Sequence, residues 1–303
     1  MNVRRTGDGA GRTGAPRPPS DHRWRQRQRA SRRWALWGVG AGLLLGLAAA
    51  APAQWLADAL DQASGGRLLL AEARGSIWTG SALPVLTGGP GSRDAAALPD
   101  RLHWRMRPEW SGLRLSLRQD CCLVGEALLH LQPGWSGYTV TLAGPAEAGS
   151  PGAAPAAATP PALGHWPASW LAGLGTPWNT LQLGGTLQLH SAGLSLQSVR
   201  GRLLFDGALA LDLLDLSSRL SPLPALGSYR LGLQGRAATG DAAQLQLQTL
   251  DGVLRLTGTG QWTGTGLRFR GDAQAAEGQE SALANLLNII GRRQGALSVI
   301  SIG

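Results

Sequence analysis

An apolar stretch without a charged residue covers residues 34–53 and reads WALWGVGAGLLLGLAAAAPA. A helix of this length is about 30 Å long, which matches the hydrocarbon core of a bilayer. We therefore predict one transmembrane helix over residues 34–55. A cleaved signal peptide is the alternative, since Ala51-Pro52-Ala53 has the small-x-small form of a cleavage site. The stretch is longer than the usual apolar region of a signal peptide, about 7 to 15 residues, and this favours a retained anchor.

Beyond residue 55, apolar residues alternate with polar ones in short runs. Leu102, Trp104 and Met106 alternate with arginine and histidine, and the same period continues at 113–117. Further runs of this period lie at 138–142, 181–183, 187–189, 194–196, 209–213, 229–233, 245–247, 254–256 and 267–269. Alternation predicts strands with one apolar face. Breaks such as Asp206-Gly207 and Asp251-Gly252 are typical of hairpin turns.

The predicted fold class is mainly β, with a large curled, mostly antiparallel sheet behind the transmembrane helix. The absence of intervening helices excludes a parallel βαβ architecture. A helical stripe over residues 55–63 should stop at Gly65-Gly66, and two further short helices are predicted at 167–174 and 279–290 to cover the sheet.

The composition divides the chain into five predicted segments. These are a basic disordered tail (1–33), the transmembrane helix (34–55), a first β-rich half (56–142), an Ala/Pro/Gly-rich loop (143–164) and a second β-rich half (165–303). The loop has few side chains to bury, so we expect it to be mobile.

Charge is concentrated in the tail. The chain has 28 basic residues, all arginine, and 19 acidic residues, a net charge of +9; the tail alone holds ten Arg and two Asp, or +8. The positive-inside rule therefore places residues 1–33 in the cytoplasm and the β-rich part across the membrane. Because the remainder carries only +1, a nucleic-acid-binding surface is not expected. Contact between the arginine tail and anionic lipids stays open.

The sequence shows no motif from which a catalytic site could be assigned. There is no G-x-S-x-G, P-loop, H-E-x-x-H or C-x-x-C motif, and no two histidines have a metal-ligand spacing. The adjacent Cys121 and Cys122 permit a strained bridge, free thiols or intermolecular linkage. We therefore assign no catalytic, cofactor-binding or metal residue and expect no cofactor; the chain is predicted not to be an enzyme.

Other conspicuous residues receive structural interpretations. Asp206, Asp212 and Asp215 are expected on the solvent face of the sheet, and Gly258-x-Gly260 is expected to form a turn. Core packing is predicted for three tryptophans, Trp78, Trp104 and Trp262.

The order of several loose motifs resembles the type II secretion system protein N family. The motifs follow a basic N-terminus and one membrane helix; they are Gly75–Ala82, Leu102 with Trp104 before Pro108, Gly227-Ser228-Tyr229-Arg230-Leu231, Gly258-x-Gly260-x-Trp262 and Asn285-Leu286-Leu287 before Gly291. The resemblance spans residues 34–303. The arginine-rich extension, the Ala/Pro loop and the adjacent cysteines depart from the family pattern.

The resemblance implies a non-catalytic inner-membrane subunit of the machine that carries folded periplasmic proteins across the outer membrane. Its partners would be other inner-membrane subunits of that apparatus, reached through the membrane helix or an exposed strand edge. The alternative is an AsmA-like lipid-handling module that uses the curled sheet as an apolar groove. A continuous open leucine-lined channel would favour lipid, and a filled core would favour a scaffold.

Overall fold

A computed structural model describes residues 37–43, 46–135, 137–143, 160–199, 202–236, 242–264 and 266–303. The chain divides into two units, residues 1–50 and residues 51–303. In the first unit, residues 37–43 and 46–49 are helical. Within the described residues, no helix combines the length and apolar character that a membrane crossing requires. The predicted tail (1–33) and most of the predicted loop (144–159) lie outside the described residues.

The second unit is built mainly of strands, as the alternation predicts. Its described residues form the strands β1 (Leu68–Gly75), β2 (Thr79–Thr87), β3 (Ala95–Ala97), β4 (Leu102–Glu109), β5 (Gly112–Arg118), β6 (Glu126–Gly134), β7 (Gly137–Ala143), β8 (Ala162–Pro167), β9 (Leu183–Val199), β10 (Arg202–Ser218), β11 (Gly227–Gly235), β12 (Ala243–Gly252), β13 (Leu254–Trp262), β14 (Leu267–Ala275), β15 (Arg292–Gln294) and β16 (Leu297–Ile302). They also form the short helices α1 (Ala53–Ser64), a 3-10 helix (Ala168–Leu174), α2 (Trp178–Leu181) and α3 (Glu280–Ile290).

All described strands belong to one sheet. Its order is β1-β2-β4-β5-β6-β7-β9-β10-β11-β12-β13-β14-β16-β15, with β3 paired to β2 and β8 paired to β9. The strand pairs are antiparallel, and the sheet is open, with β1 and β15 as its edges. One large antiparallel sheet is what the sequence predicts, because chain neighbours connected by short turns pair side by side.

The antiparallel order places the β1–β2, β4–β5 and β6–β7 turns at the same end of the sheet, which we call the proximal end. The unit also begins there: the carbonyl of Ala51 accepts a hydrogen bond from the Ile77 amide in the β1–β2 turn, at 3.0 Å. From this end α1 runs along the sheet to β1. It stops at Gly65, whose left-handed backbone (φ 63°) suits glycine, as the sequence predicts.

Two buried clusters lie on the inner face of the sheet, defined as the face that carries Trp104. The N-terminal cluster joins Ala53 of α1 to Ala82 and Trp104. The C-terminal cluster surrounds α3, whose three leucines are almost fully buried (Leu283, Leu286 and Leu287). The predicted stripe and the stop of this helix before Gly291 are confirmed.

The sheet bends enough for distant strands to share one helix. The 3-10 helix touches β9 and also β2 and β3, and the Trp170 indole donates a hydrogen bond to the Ala96 carbonyl at 3.0 Å. This element was predicted at 167–174. It takes the tighter 3-10 form at Ala168–Leu174 and ends at Gly175.

Three local predictions are wrong because glycine and proline signals have several structural meanings. Asp206-Gly207 is not a turn: it lies inside the 17-residue β10, where a Cβ on Gly207 (φ 113°) would lie 2.6 Å from the Gly193 carbonyl oxygen. Gly258-x-Gly260 is likewise strand interior. Strand β8 begins at Ala162, inside the predicted loop. By contrast, β12 does end at Gly252, as predicted.

Candidate functional site

The inner face of the central sheet is a continuous apolar surface. Because side chains alternate along each strand, the register aligns leucines from neighbouring strands in rows. One row contains Leu115, Leu129, Leu142 and Leu194. The next row contains Leu113, Leu131, Val140, Leu196 and Phe205.

This surface is covered at both ends of the strand order and half-exposed between them. Helix α1 covers β1, β2 and β4, and α3 covers the C-terminal strands. Leu129, Leu131, Val140 and Leu196 are intermediate in exposure, and within the described residues they belong to neither buried cluster. Burying this surface would be favourable by about 25 cal/mol per Å². The central inner face can therefore accept an apolar ligand or an apolar segment of a partner.

The motifs that carry the family resemblance are packing sites. The Trp104 indole is 3 % exposed, and its Nε1 donates hydrogen bonds to the carbonyls of Ser76 and Ile77, at 3.2 Å each. Gly80 leaves room for this ring: a Cβ there would lie 2.4 Å from Cζ2 of Trp104. Core packing is thus confirmed for Trp104, whereas Trp78 and Trp262 are only half-buried.

The glycine and tyrosine motifs of the second half serve the same purpose. A Cβ on Gly258 would lie 2.4 Å from Cζ of Phe269, so this glycine makes space for an aromatic ring on the neighbouring strand. Tyr229 is 1 % exposed, and its hydroxyl donates a hydrogen bond to the Leu254 carbonyl at 2.8 Å. Burial raises the pKa of Tyr229 well above its usual range.

One buried polar cluster lies on the opposite face of the sheet. Nε and Nη2 of Arg230 each donate a hydrogen bond to the Asp212 carboxylate at 2.7 Å, an arrangement that raises the pKa of Arg230. His190 Nδ1 lies 3.0 Å from the Pro160 carbonyl, and Nε2 lies 3.4 Å from Asp212 Oδ2. Asp212 is 4 % exposed, so its predicted place on the solvent face is wrong. The sequence could not show this, because the covering residues come from other strands.

This cluster has the groups of a catalytic site but not its geometry. The neighbouring hydroxyl, Ser191 Oγ, is fully buried and donates to the Ala208 carbonyl at 2.9 Å, so it is engaged in the fold. Over the described residues, no group of three or more His, Cys, Asp or Glu side chains is arranged to hold a metal ion. The cluster acts as an internal clamp between β9, β10 and β11.

The adjacent cysteines form a disulfide, one of the alternatives that the sequence leaves open. Cys122 is buried, its carbonyl accepts a hydrogen bond from the His165 amide at 2.7 Å, and the Val124 amide donates to the Leu163 carbonyl at 2.9 Å. The disulfide turn therefore pairs with β8 and attaches it to the β5–β6 connection. His130 lies further along β6, with its Nδ1 3.6 Å from Oε2 of Glu109.

The sequence interpretation missed two tryptophans at the proximal end. Trp110 and Trp135 occupy the turns after β4 and β6, and they are 109 % and 110 % exposed. Both stand in the same five-residue pattern, Pro-x-Trp-Ser-Gly, at 108–112 and 133–137. This repeated pattern is the signal that could have identified them. At Gly112 (φ 151°), a Cβ would lie 2.0 Å from the Leu131 carbonyl oxygen, so the pattern needs glycine there.

Comparison with known protein families gives one match. A family model described as "Type II secretion system (T2SS), protein N" matches residues 66–299. No curated protein and no solved structure matches the chain. The matched range contains the whole sheet except the end of β16, together with the Gly80, Tyr229, Gly258 and Leu286 motifs.

Proposed function

Since the chain belongs to the type II secretion system protein N family, we propose that it is a non-catalytic accessory subunit of type II secretion, held in the inner membrane. The family match over residues 66–299 carries this proposal. The packing roles of the family motifs support it, because the residues that the resemblance identifies form the sheet and its two clusters rather than a reaction centre.

We propose that residues 34–50, the part of the predicted helix that precedes the second unit, anchor the chain and that the sheet lies in the periplasm. The uncharged stretch and the ten arginines before it support this orientation. The disulfide between Cys121 and Cys122 agrees with an oxidising compartment. A C-terminal fusion to alkaline phosphatase should be active, and the same fusion to a cytoplasmic fluorescent reporter should be dark. The reverse result would contradict the orientation.

A free strand edge is available for partner subunits. Strand β16 pairs with β14 along its length, but β15 covers it only at Leu297–Val299. On that side, residues 300–302 have no strand partner in the part of the chain that the structure describes. An exposed edge can accept a strand from another chain. We propose that inner-membrane subunits of the apparatus bind here.

Deletion and complementation test the secretory role. Loss of the gene should reduce the exoproteins in the medium, and the wild-type chain should restore them and copurify with the inner-membrane platform. Ser301→Lys should weaken copurification, because a lysine on the edge disfavours strand addition. Gln246→Lys, on an exposed outer-face position in the middle of the sheet, is the matched control. Undiminished secretion after deletion, with no copurification, would contradict the proposal.

The half-exposed inner face favours one second function, an AsmA-like lipid-handling module. The part of the inner face that lies outside both buried clusters, around Leu131 and Val140, provides an apolar surface that alkyl chains could cover. Native mass spectrometry of the full chain, released from detergent, should then show phospholipid adducts. Leu131→Asn should reduce them and the adjacent outer-face change Gln132→Asn should not. Absence of adducts in the wild-type chain would leave the scaffold role alone.

A further inference from the structure

The two exposed tryptophans contribute nothing visible to the fold. A tryptophan ring normally buries 150–250 Å² and is among the most buried side chains on average. Trp110 and Trp135 are instead exposed along their whole side chains, and neither belongs to the two buried clusters of the described residues. Their surface is therefore available to something outside this unit.

The topology brings the two rings together. Strands β4 to β7 are neighbours in the sheet, so the two turns lie two strand spacings apart, roughly 10 Å. The register pairs Leu113 with Leu131, which extends the β6–β7 turn about two residues, or roughly 7 Å, beyond the β4–β5 turn. Tyr138, at the start of β7, is 45 % exposed beside the second turn. Together they form an aromatic tip, defined as Trp110, Trp135 and Tyr138.

A cationic layer lies directly behind the tip. Arg107 and Arg114 face each other across β4 and β5, and both are exposed. Oε1 of Glu109 lies 2.6 Å from Nη2 of Arg114. Together, the two arginines and this glutamate carry a net charge of +1. An aromatic surface with arginine behind it matches the layers of a membrane interface, where amphipathic rings sit at the headgroup level and arginine reaches phosphates.

The position of the chain at Ala51 decides between a bilayer and a protein partner. Ala51 binds the β1–β2 turn at the proximal end, which is also the end that carries the aromatic tip. Residues 34–50, the segment proposed to span the membrane, immediately precede Ala51 in the sequence. An anchor joined to this end of the sheet makes contact between the tip and the bilayer an intramolecular event with a high effective concentration, and this favours lipid as the ligand.

We propose that the aromatic tip inserts into the interface of the bilayer that anchors residues 34–50, with lipid headgroups and upper acyl chains as its ligand. This inference rests on the proposed membrane anchoring. The tip provides a second attachment, so the sheet stands on the membrane in one orientation instead of swinging on a single tether. Its free edge at β16 is then held at a fixed angle to other membrane subunits.

Spin labels on the full chain test the insertion. We would reconstitute the chain in vesicles of phosphatidylethanolamine and phosphatidylglycerol, without reductant, so that Cys121 and Cys122 stay paired. Ser111→Cys places a label beside Trp110 without removing the ring. Leu250→Cys, 44 % exposed on β12 near the opposite end of the sheet, is the matched water-facing control. Leu43→Cys reports on the anchor itself.

The expected result is a several-fold higher ratio of oxygen to nickel-chelate collisions at residue 111 than at residue 250. Changing both Trp110 and Trp135 to serine should return the ratio at residue 111 to the control value, since two rings of this area shift the docked population by at least about a hundredfold. Circular dichroism checks that this variant is folded; the wild-type comparison of residues 111 and 250 stands without it.

Three other results would overturn the inference. A label at residue 111 that behaves like residue 250, while residue 43 is in lipid, disproves insertion but leaves the anchor. Protection of residue 111 from both collision reagents indicates a protein contact in place of lipid. A water-exposed label at residue 43 contradicts the proposed anchoring, and the inference falls with it.

Discussion

The contact between Gly80 and Trp104 gives the sharpest test of the fold. In Gly80→Ala, the new Cβ would lie 2.4 Å from Cζ2 and 2.8 Å from Cε2 of the buried indole, and 2.6 Å from the Arg74 carbonyl oxygen. The ring cannot simply withdraw, because its Nε1 is hydrogen-bonded to two carbonyls. Overpacking of this kind costs about 1–3 kcal/mol. In a domain of this size, where 1 kcal/mol corresponds to about 2–4 °C, that cost lowers the melting temperature by about 2–12 °C.

The assay is thermal unfolding of the full chain in detergent, followed by circular dichroism. Gly266→Ala is the matched control, because a Cβ at residue 266 meets nothing within 4 Å and no unusual φ is required there. Trp104→Phe removes the two indole atoms that clash, so the double variant should lose less than the sum of the single changes. If Gly80→Ala melts within 1 °C of Gly266→Ala, the packing described for the N-terminal cluster is wrong.

Three further changes test the rest of the sheet. Tyr229→Phe should cost about 1–2 kcal/mol in urea unfolding, because it leaves the Leu254 carbonyl without its donor. Burial raises the pKa of Tyr229, so the stability from its protonated hydroxyl is complete below about pH 10 and is lost as the pH rises towards the raised pKa. The phenylalanine variant should lack this loss of stability at alkaline pH. If the free energy of unfolding falls with pH equally in both proteins, the burial of Tyr229 is contradicted. Asp212→Asn should destabilise by about 2–4 kcal/mol, because it weakens the bidentate pairing to a guanidinium that is itself one-third exposed; a change under about 0.5 kcal/mol would contradict the clamp role. Leu286→Ala should cost about 2–5 kcal/mol, whereas Ile289→Ala, 38 % exposed on the same helix, should cost much less; equal losses would contradict the seating of the helix on the sheet.

The sequence predicted the strands well and their ends poorly. Two or three repeats of the apolar–polar alternation are enough to identify a strand, because the backbone alone sets the two-residue period of the side chains. Turn residues carry less information. The pair Asp206-Gly207 looks like a turn, yet the β9–β10 ribbon continues through it for 17 residues in each strand, with Gly193 and Gly207 absorbing a bend. Only the partner strand distinguishes a bend from a reversal.

The candidate surfaces, like the strands, could be predicted from the sequence only in part. The apolar character of the inner face could be predicted from the leucine spacing, and the burial of the α3 leucines followed from their helical stripe. The exposure of Trp110 was missed, because tryptophan is among the most buried residues on average, although its place in a Pro-x-Trp-Ser-Gly turn was visible in the sequence. Burial depends on which residues lie opposite, and Trp110 lies in the turn between β4 and β5, beyond their last pair, Glu109 with Gly112.

The amino-acid pattern by itself determined the class of fold, the helix stops at Gly65 and Gly291, and the polarity of each strand face, since all of these depend on residues close together in the chain. Tertiary structure alone decided that the sheet stays open and that Asp212 is buried. It also decided that the turns carrying Trp110 and Trp135 lie at the proximal end, where the second unit begins at Ala51. These features depend on cross-strand register, which joins residues far apart in sequence and leaves no local trace.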